Sequence, residues 1–369
     1  MNQLILKLKK LSNQSQTFQQ LGINDIIDAS KETVTDALWS DDASELSTFF
    51  TSSTLTNAQK EYYVNVSQKA PSDTGSAVQF AIAFGDQRGS GSLNNGGGTL
   101  GDAPSKAIYS QYKQLLLGEA ESAFTFATGS STYTTPSIYV LNIQRARTKE
   151  RLDPGNWELP LVSIGSRETN GTGSVVLTGT TKLLLIDDSS TETGVSETEI
   201  ADSYNIVSGS ITDGIHKRNS TEIQYYGKVY PQHSVLVLDA EKLDRQLAFD
   251  TNTGSNSAGH NHYTLFHSIS GSAAAGSGSF KARNKETISS TFYFVRLFNG
   301  DFNYSNNPSY TTGSDYQIVN EGYWTNPVSY ITTVGLYNDS QELLAVAKLS
   351  QPIKKDKKSE LNIRVKLDY

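Results

Sequence analysis

The chain has no cysteine in 369 residues. That excludes disulfides and thiolate chemistry. It has no apolar run near the ~18 residues that a membrane-spanning helix needs. Its first ten residues, Met1-Asn-Gln-Leu-Ile-Leu-Lys-Leu-Lys-Lys10, are too short and too charged for a signal peptide. The expectation is a protein made in a cytoplasm that stays soluble or joins a large soluble assembly. Charged residues are sparse at 19%, and the net charge is −7, which argues against nucleic acid as the main partner. Apolar residues are also few, at 36%, and that count includes 19 tyrosines.

Ser, Thr, Asn, Gln and Gly fill the balance. Tyr, Thr, Val and Ile suit pleated surfaces, while Ser, Asn and Gly suit turns. The composition matches neither a helical enzyme nor a disordered chain. The expected fold is mainly β: antiparallel sheets or β-sandwich-like domains with a few short helices and long polar loops.

The densest strand signals lie after Thr287. In Leu361-Asn-Ile-Arg-Val-Lys-Leu-Asp-Tyr369 apolar and polar residues alternate, which gives one buried and one wet face. Ser289–Phe298 reads as a strand, and Asn299-Gly300 predicts a hairpin with Asp301-Phe-Asn-Tyr304 returning. Tyr330–Tyr337 and Glu342–Leu349 form a second predicted hairpin. The lysines of Lys354–Lys358 are expected at a solvated hairpin tip. Further back, strands are predicted at Glu61–Ser67, Ala77–Gly85, Ser137–Gln144, Asn156–Ile164, Val175–Leu177 with Lys182–Asp188, Tyr204–Gly209, Glu222–Pro231 and Ser234–Asp239. Asp153-Pro-Gly155 predicts a turn. Ile108, Tyr112, Leu115 and Leu116 share one face of a predicted helix over 102–117. Asp102 is positioned to cap it and Gly118 to end it left-handed. A second helix, Ala240–Phe249, carries Leu243 and Leu247 one turn apart.

These signals divide the chain into an N-terminal arm (1–60), a central β-rich domain with one covering helix (61–250), a Ser/Gly-rich linker or loop (251–281) and a C-terminal antiparallel β domain (282–369). Within the arm, Leu4–Leu11 is ambiguous between strand and helix. Ile23–Leu38 shows broken helical spacing. The arm packs either on its own body or on a neighbouring subunit. Gly271–Ser279 reads as linker.

No stretch carries a specific catalytic signature, and the expectation is a protein that is not an enzyme and needs no cofactor. The Gly-rich segment 85–101 lacks the Gly-Lys-Ser/Thr ending of a phosphate loop. Gly89-Ser-Gly-Ser-Leu93 does not match a nucleophile elbow. Asp187-Asp188 lacks the spacing of the twelve-residue calcium loop. His260 and His262 could share a metal if they lay on a strand, although two ligands alone do not complete a site. The cations Arg145, Arg147, Lys149 and Arg151 fall on alternate residues. On a strand they would share one face, as a solvated or inter-subunit ion-pair surface. Arg364 and Lys366 on the last strand form a second candidate interface. Trp157, Trp324 and the many tyrosines would suit either sugar stacking or a protein interface.

Several segments resemble structural proteins of large contractile-tailed bacteriophages. They are Leu152–Leu159, Tyr226–Asp239, Ser290–Arg296, Phe302–Tyr310 and Tyr330–Leu349, within roughly residues 137–369. The resemblance implies a virion component of the tail, baseplate or neck, assembled in the host cytoplasm. Its implied partners are other virion structural proteins in a homo-oligomer or ring, with neither nucleic acid nor membrane. It transfers no catalytic residues. The alternative is a fibre-associated carbohydrate binder or depolymerase, against which the lack of regular internal repeats counts.

Overall fold

The computed structural model describes residues 5–7, 18–21, 23–28, 31–51, 62–91, 103–118, 121–129, 131–163, 182–191, 202–219, 221–249, 261–274, 276, 278–305, 309–312, 317–338, 340 and 342–368. The fold is mainly β, 52% strand against 18% helix, as the composition requires. Two compact units form: Met1–Thr33 together with Thr287–Tyr369, and Val34–Glu286. These boundaries differ from those expected at 60, 250 and 281, because strand pairing joins segments remote in sequence.

Among the described residues the two main sheets of the first unit hold seven strands: β1 (Ile5–Lys7), β2 (Phe18–Gln20), β3 (Ile26–Asp28), β4 (Ser290–Leu297), β5 (Val328–Tyr337), β6 (Leu343–Asp356) and β7 (Leu361–Asp368). They form two sheets, in the orders β2-β1-β5-β6 and β7-β4-β3. Both are antiparallel throughout. One apolar core takes side chains from both sheets: Val295 and Leu297 of β4, Val334 and Leu336 of β5, Ile363 and Val365 of β7. The alternation read from β7 holds, with Asn362, Arg364, Lys366 and Asp368 exposed.

The segment expected as a separate arm contributes strands to both of these sheets. Ile5 pairs with Tyr337, and Ile26 with Tyr293. Three-residue strands cannot persist alone, so they add to sheets already formed. The broken helical spacing of Ile23–Leu38 yields a single 3-10 turn, β3 and the strand Glu32–Ala37. Asn299-Gly300 does make a turn, with the Asp301 amide donating to Phe298 O at 3.1 Å. Among the described residues no return strand follows; β4 pairs with β7 along its whole length and with β3 at Thr291–Tyr293. The Tyr330–Leu349 hairpin is present as β5 and β6. The Lys354–Lys358 turn instead connects strands of different sheets. Lys355 is fully buried there, and its Nζ donates to Asn303 Oδ1 at 2.9 Å and to the carbonyls of Asn299 and Asp356 at 3.2 and 2.9 Å.

The second unit is built on a 13-stranded sheet. Its order runs from Glu32–Ala37 through Phe280–Ile288, Arg151–Val162, Lys182–Asp187, Tyr204–Ser210, Tyr225–Tyr230, Val235–Asp239, Ser137–Ile143, Val78–Asp86 and Tyr63–Ser67 to Phe50–Thr51. The strand Val78–Asp86 lies seven strand spacings of about 4.8 Å from Phe280–Ile288, roughly 34 Å if the sheet were flat. Yet the Phe80 and Phe280 rings are 5.6 Å apart, so the sheet curls into a half-barrel. The segment after Trp39 ties its ends. Leu46 pairs with Phe280, and Phe50, four residues on, pairs with Ser67. Trp39 donates its Nε1 to Phe280 O at 3.0 Å.

Three helices of eight or more residues complete this unit among the described residues. α1 (Pro104–Leu116) covers the outer face with Ile108, Tyr109, Tyr112 and Leu116, against Val140 and Val237. It caps at Ala103 and ends through an extended Leu117 rather than a left-handed Gly118; Asp102 lies outside the described residues. α1 comes close to the sheet at Gly85, where a Cβ would stand 3.0 Å from Tyr109 N. α2 (Ala240–Leu247) is capped by Asp239, which accepts from the Glu241 amide at 3.0 Å. α3 (Asn261–Ala274) lies inside the curl. Its Ser268 Oγ donates to Val162 O at 2.7 Å and accepts from Val162 N at 3.1 Å.

The interior therefore continues through Gly271 and Ser272, both buried, where the composition suggested a linker. Small residues let a helix lie in a confined space, and burial overrides the linker-like composition. Apolar runs such as Ser137–Leu141 also make sense here. Tyr139 and Leu141 face the curl, while Ile138 and Val140 face α1. Both sheet faces are buried, so both parities are apolar. Asp153-Pro-Gly155 is not a reversing turn but a bulge between Leu152 and Trp157, with Gly155 at φ 80. Val175–Leu177 lies outside the described residues.

Candidate functional site

Buried carboxylates are the first place to look for chemistry, and this unit has several. Asp187 accepts from Gly155 N at 2.9 Å, Trp157 Nε1 at 2.5 Å and Ser189 N at 3.1 Å. Asp188 accepts from the amide and side chain of Asn205, both at 2.8 Å. Asp86 takes Arg88 N, Ser90 N and Ser137 Oγ at 2.7–2.9 Å. Asp239 takes Thr135 Oγ1 at 3.1 Å and the Tyr133 hydroxyl. Burial, with Asp239 alongside, pushes the Tyr133 phenol well above its ordinary value. These carboxylates tie turns and strand ends together, since protein donors fill their acceptor positions. No group of three or more His, Cys, Asp or Glu side chains converges among the described residues.

The sequence-predicted candidates are dispersed. His262 is buried in the first turn of α3, its ring 4.7 Å from that of Tyr263. It stands on a helix, so the strand geometry invoked for the pair does not hold; His260 lies outside the described residues. The basic set does not share a strand face either. Arg145 and Arg147 lie in the helical turn Arg145–Thr148, and only Arg151 begins a strand. The helical turn interrupts the alternation and sends the cations to separate partners. Arg145 Nη1 donates to Gln232 O at 2.8 Å and Arg147 Nη1 to Ser40 Oγ at 3.1 Å. Lys149 pairs with Asp36 at 3.4 Å and Glu286 at 3.7 Å.

On β7 the Arg364 guanidinium lies 5.0 Å over the Phe292 ring. Lys366 pairs with Asp368 at 3.1 Å and Glu32 at 3.6 Å, and Asp368 holds the Lys366 ammonium above its ordinary value. Trp157 is fully buried and is no sugar platform. Trp324 is 62% exposed, with its Nε1 donating to Ile318 O at 3.0 Å. Beside it in sequence, Tyr323 stacks on Tyr310 at 5.6 Å and 16°.

The feature the sequence did not single out is the outer strand of the four-stranded sheet. β6 runs 14 residues, and among the described residues no strand lies beyond it. Ala345, Ala347 and Leu349 turn toward the core. Leu343 (52%), Leu344 (55%) and Val346 (57%) are exposed. The ladder slips between Leu336↔Ala345 and Tyr337↔Leu343, a bulge that leaves both leucines in water. The sequence does hold a signal. Leu343-Leu-Ala-Val-Ala347 is apolar at both parities, which demands either two buried faces or a partner.

No family model, curated protein or solved structure matches the chain.

Proposed function

We propose that this chain is a non-enzymatic structural subunit of a tailed-phage virion, in its tail, baseplate or neck, acting by protein–protein assembly. The observation that carries this reading is the open apolar edge of β6, with Leu343, Leu344 and Val346 more than half exposed. A long apolar edge strand is a pairing template, and soluble proteins ordinarily blunt such edges. An assembly subunit keeps one for its neighbours. Buried carboxylates engaged by backbone amides agree with a scaffold role, and the resemblance of residues 137–369 points to the same particle. Mass spectrometry and cryo-EM of the purified parent particle test the proposal. The chain is expected within a ring or joint of the tail, and a particle lacking it would refute the reading.

One observation favours the alternative of sugar contact on a fibre, namely exposed Trp324 next to the Tyr310–Tyr323 stack. Base-exposed rings of this kind stack on sugar faces. Binding of host-surface glycans by the purified protein, lost in Trp324→Ala, would support it. Absence of binding in a glycan screen would dismiss it.

A further inference from the structure

Where β6 ends, a buried amine meets a buried side-chain amide. Lys355 is fully buried and Asn303 is 7% exposed. Lys355 Nζ lies 2.9 Å from Asn303 Oδ1. The carbonyl carbon stands about 1.2 Å beyond that oxygen, so Nζ and Asn303 Cγ are no more than about 4 Å apart. One backbone carbonyl holds both groups: Asn299 O accepts from Asn303 Nδ2 at 2.7 Å and from Lys355 Nζ at 3.2 Å. Ser329, opposite Lys355 in the β5–β6 ladder, donates its Oγ to Phe302 O and fixes the chain just before Asn303. The acceptors around Nζ, namely Asn303 Oδ1 and the carbonyls of Asn299 and Asp356, are all neutral. Burying an ammonium among neutral partners costs stability, whereas the neutral amine is a nucleophile. We infer that Lys355 and Asn303 join in an isopeptide bond, a covalent staple between the segment that leaves β4 and the end of β6.

The step needs no co-reactant. The Nζ lone pair forms a bond to Asn303 Cγ. The Cγ–Nδ2 bond breaks, and its electron pair leaves on nitrogen. One proton passes from Nζ to Nδ2, which departs as ammonia. Neither residue is oxidised or reduced. Position supplies the rate, because a nucleophile held beside its carbonyl is spared the entropy of encounter. Burial also keeps out the water that would compete for the carbonyl. It lowers the Lys355 ammonium below its ordinary value, against the opposing charges of Asp301, Asp356 and Glu360, so more of the amine is neutral. The bond spans a sequence separation of 52 residues in a chain that has no cysteine to make such a link. Like a disulfide, it would restrict the unfolded ensemble. The bonded form carries no ammonium at position 355, so any pH-dependent stability from that group belongs to the unbonded form. The bond is independent of the assembly reading.

Mass spectrometry of the full chain tests this. Folded wild type held at mildly alkaline pH is expected to become lighter by one ammonia. Its tryptic digest should contain a branched peptide that joins Asn303 to Lys355 and is uncut after Lys355. The same chain kept in denaturant should form no branched peptide, because the fold brings the two groups together. Lys355→Arg, which keeps the charge, and Asn303→Ala should form none either. The wild-type digest decides the matter by itself, whether or not those variants fold. Asn299-Gly300 can also lose ammonia by closing on its own backbone, so a lighter chain without the branched peptide would overturn the bond. Asn303 and Lys355 recovered in separate, unmodified peptides from the aged folded chain would overturn it as well.

Discussion

In the Val34–Glu286 unit the ends of the sheet are brought together, whereas in the other unit no strand lies beyond β6 or β7 among the described residues. The curled sheet is tied where Leu46 pairs with Phe280 and Phe50 with Ser67, with Trp39, Phe80 and Phe280 in mutual ring contact beneath. Both of its faces are covered over Ser137–Ile143, by α1 outside and by the interior of the curl. The first unit buries one face of each sheet, and β6 has no further strand beside it among the described residues. Closure removes the sticky edge, and an open edge keeps it available.

The comparison breaks most visibly at Phe280. Phe280→Ala removes the ring that joins the two ends of the curl and is expected to cost about 3–5 kcal/mol. Denaturant titration gives the loss, and hydrogen exchange should place it in Val34–Glu286 while β4–β7 stay protected. A smaller loss is expected from Gly85→Ala. The new Cβ would stand 3.0 Å from Tyr109 N and 3.1 Å from Tyr109 Cα, so α1 must shift, at about 1–3 kcal/mol. A thermal melt unchanged from wild type would show that α1 is not seated on that strand.

Lys355 sharpens the contrast from the other unit. Burial lowers the pKa of its ammonium below the ordinary 10.5. The unfolded chain then holds that proton more tightly than the folded one, so this group makes stability rise with pH between its lowered folded value and 10.5. Lys355→Met should flatten that rise in denaturation midpoints measured across alkaline pH. A slope identical to wild type would contradict it. The smallest effect on folding is expected from Arg364→Glu with Lys366→Glu. Both side chains are exposed, so the monomer should melt close to wild type. If the β7 face meets a neighbour in the particle, assembly of the double variant is impaired; normal particles would rule that surface out.

Local chemistry made much of this fold legible. β7 alternates as read, because one face meets a core and the other meets water. α2 appears where Asp239 caps a segment with Leu243 and Leu247 one turn apart. Errors arise where pairing over long distance decides. The N-terminal strands β1 and β3 join β5 and β4 more than 260 residues away, and no short-range pattern reports that partner. Asn299-Gly300 turns without making a hairpin, and β4 takes its full-length partner from β7, more than 60 residues on. The alternate-residue cations from Arg145 to Arg151 suggested a strand face, and a helical turn there parts them.

The candidate site shows the same division. Trp157 and Trp324 look alike in sequence, yet one donates its Nε1 to a buried Asp187 and the other stands in solvent. Leu343, Leu344 and Val346 have the composition of core residues, and only the place of β6 at the end of a sheet leaves them exposed. By itself the sequence determined strand content, two of the longer helices and the buried face of β7, since periodicity and capping act within a few residues. Which strands are neighbours, which apolar residues remain uncovered and whether Gly271–Ala274 is linker or helix were decided by the tertiary structure. Those outcomes depend on what the rest of the chain brings alongside, and burial is a property of neighbours rather than of residue type.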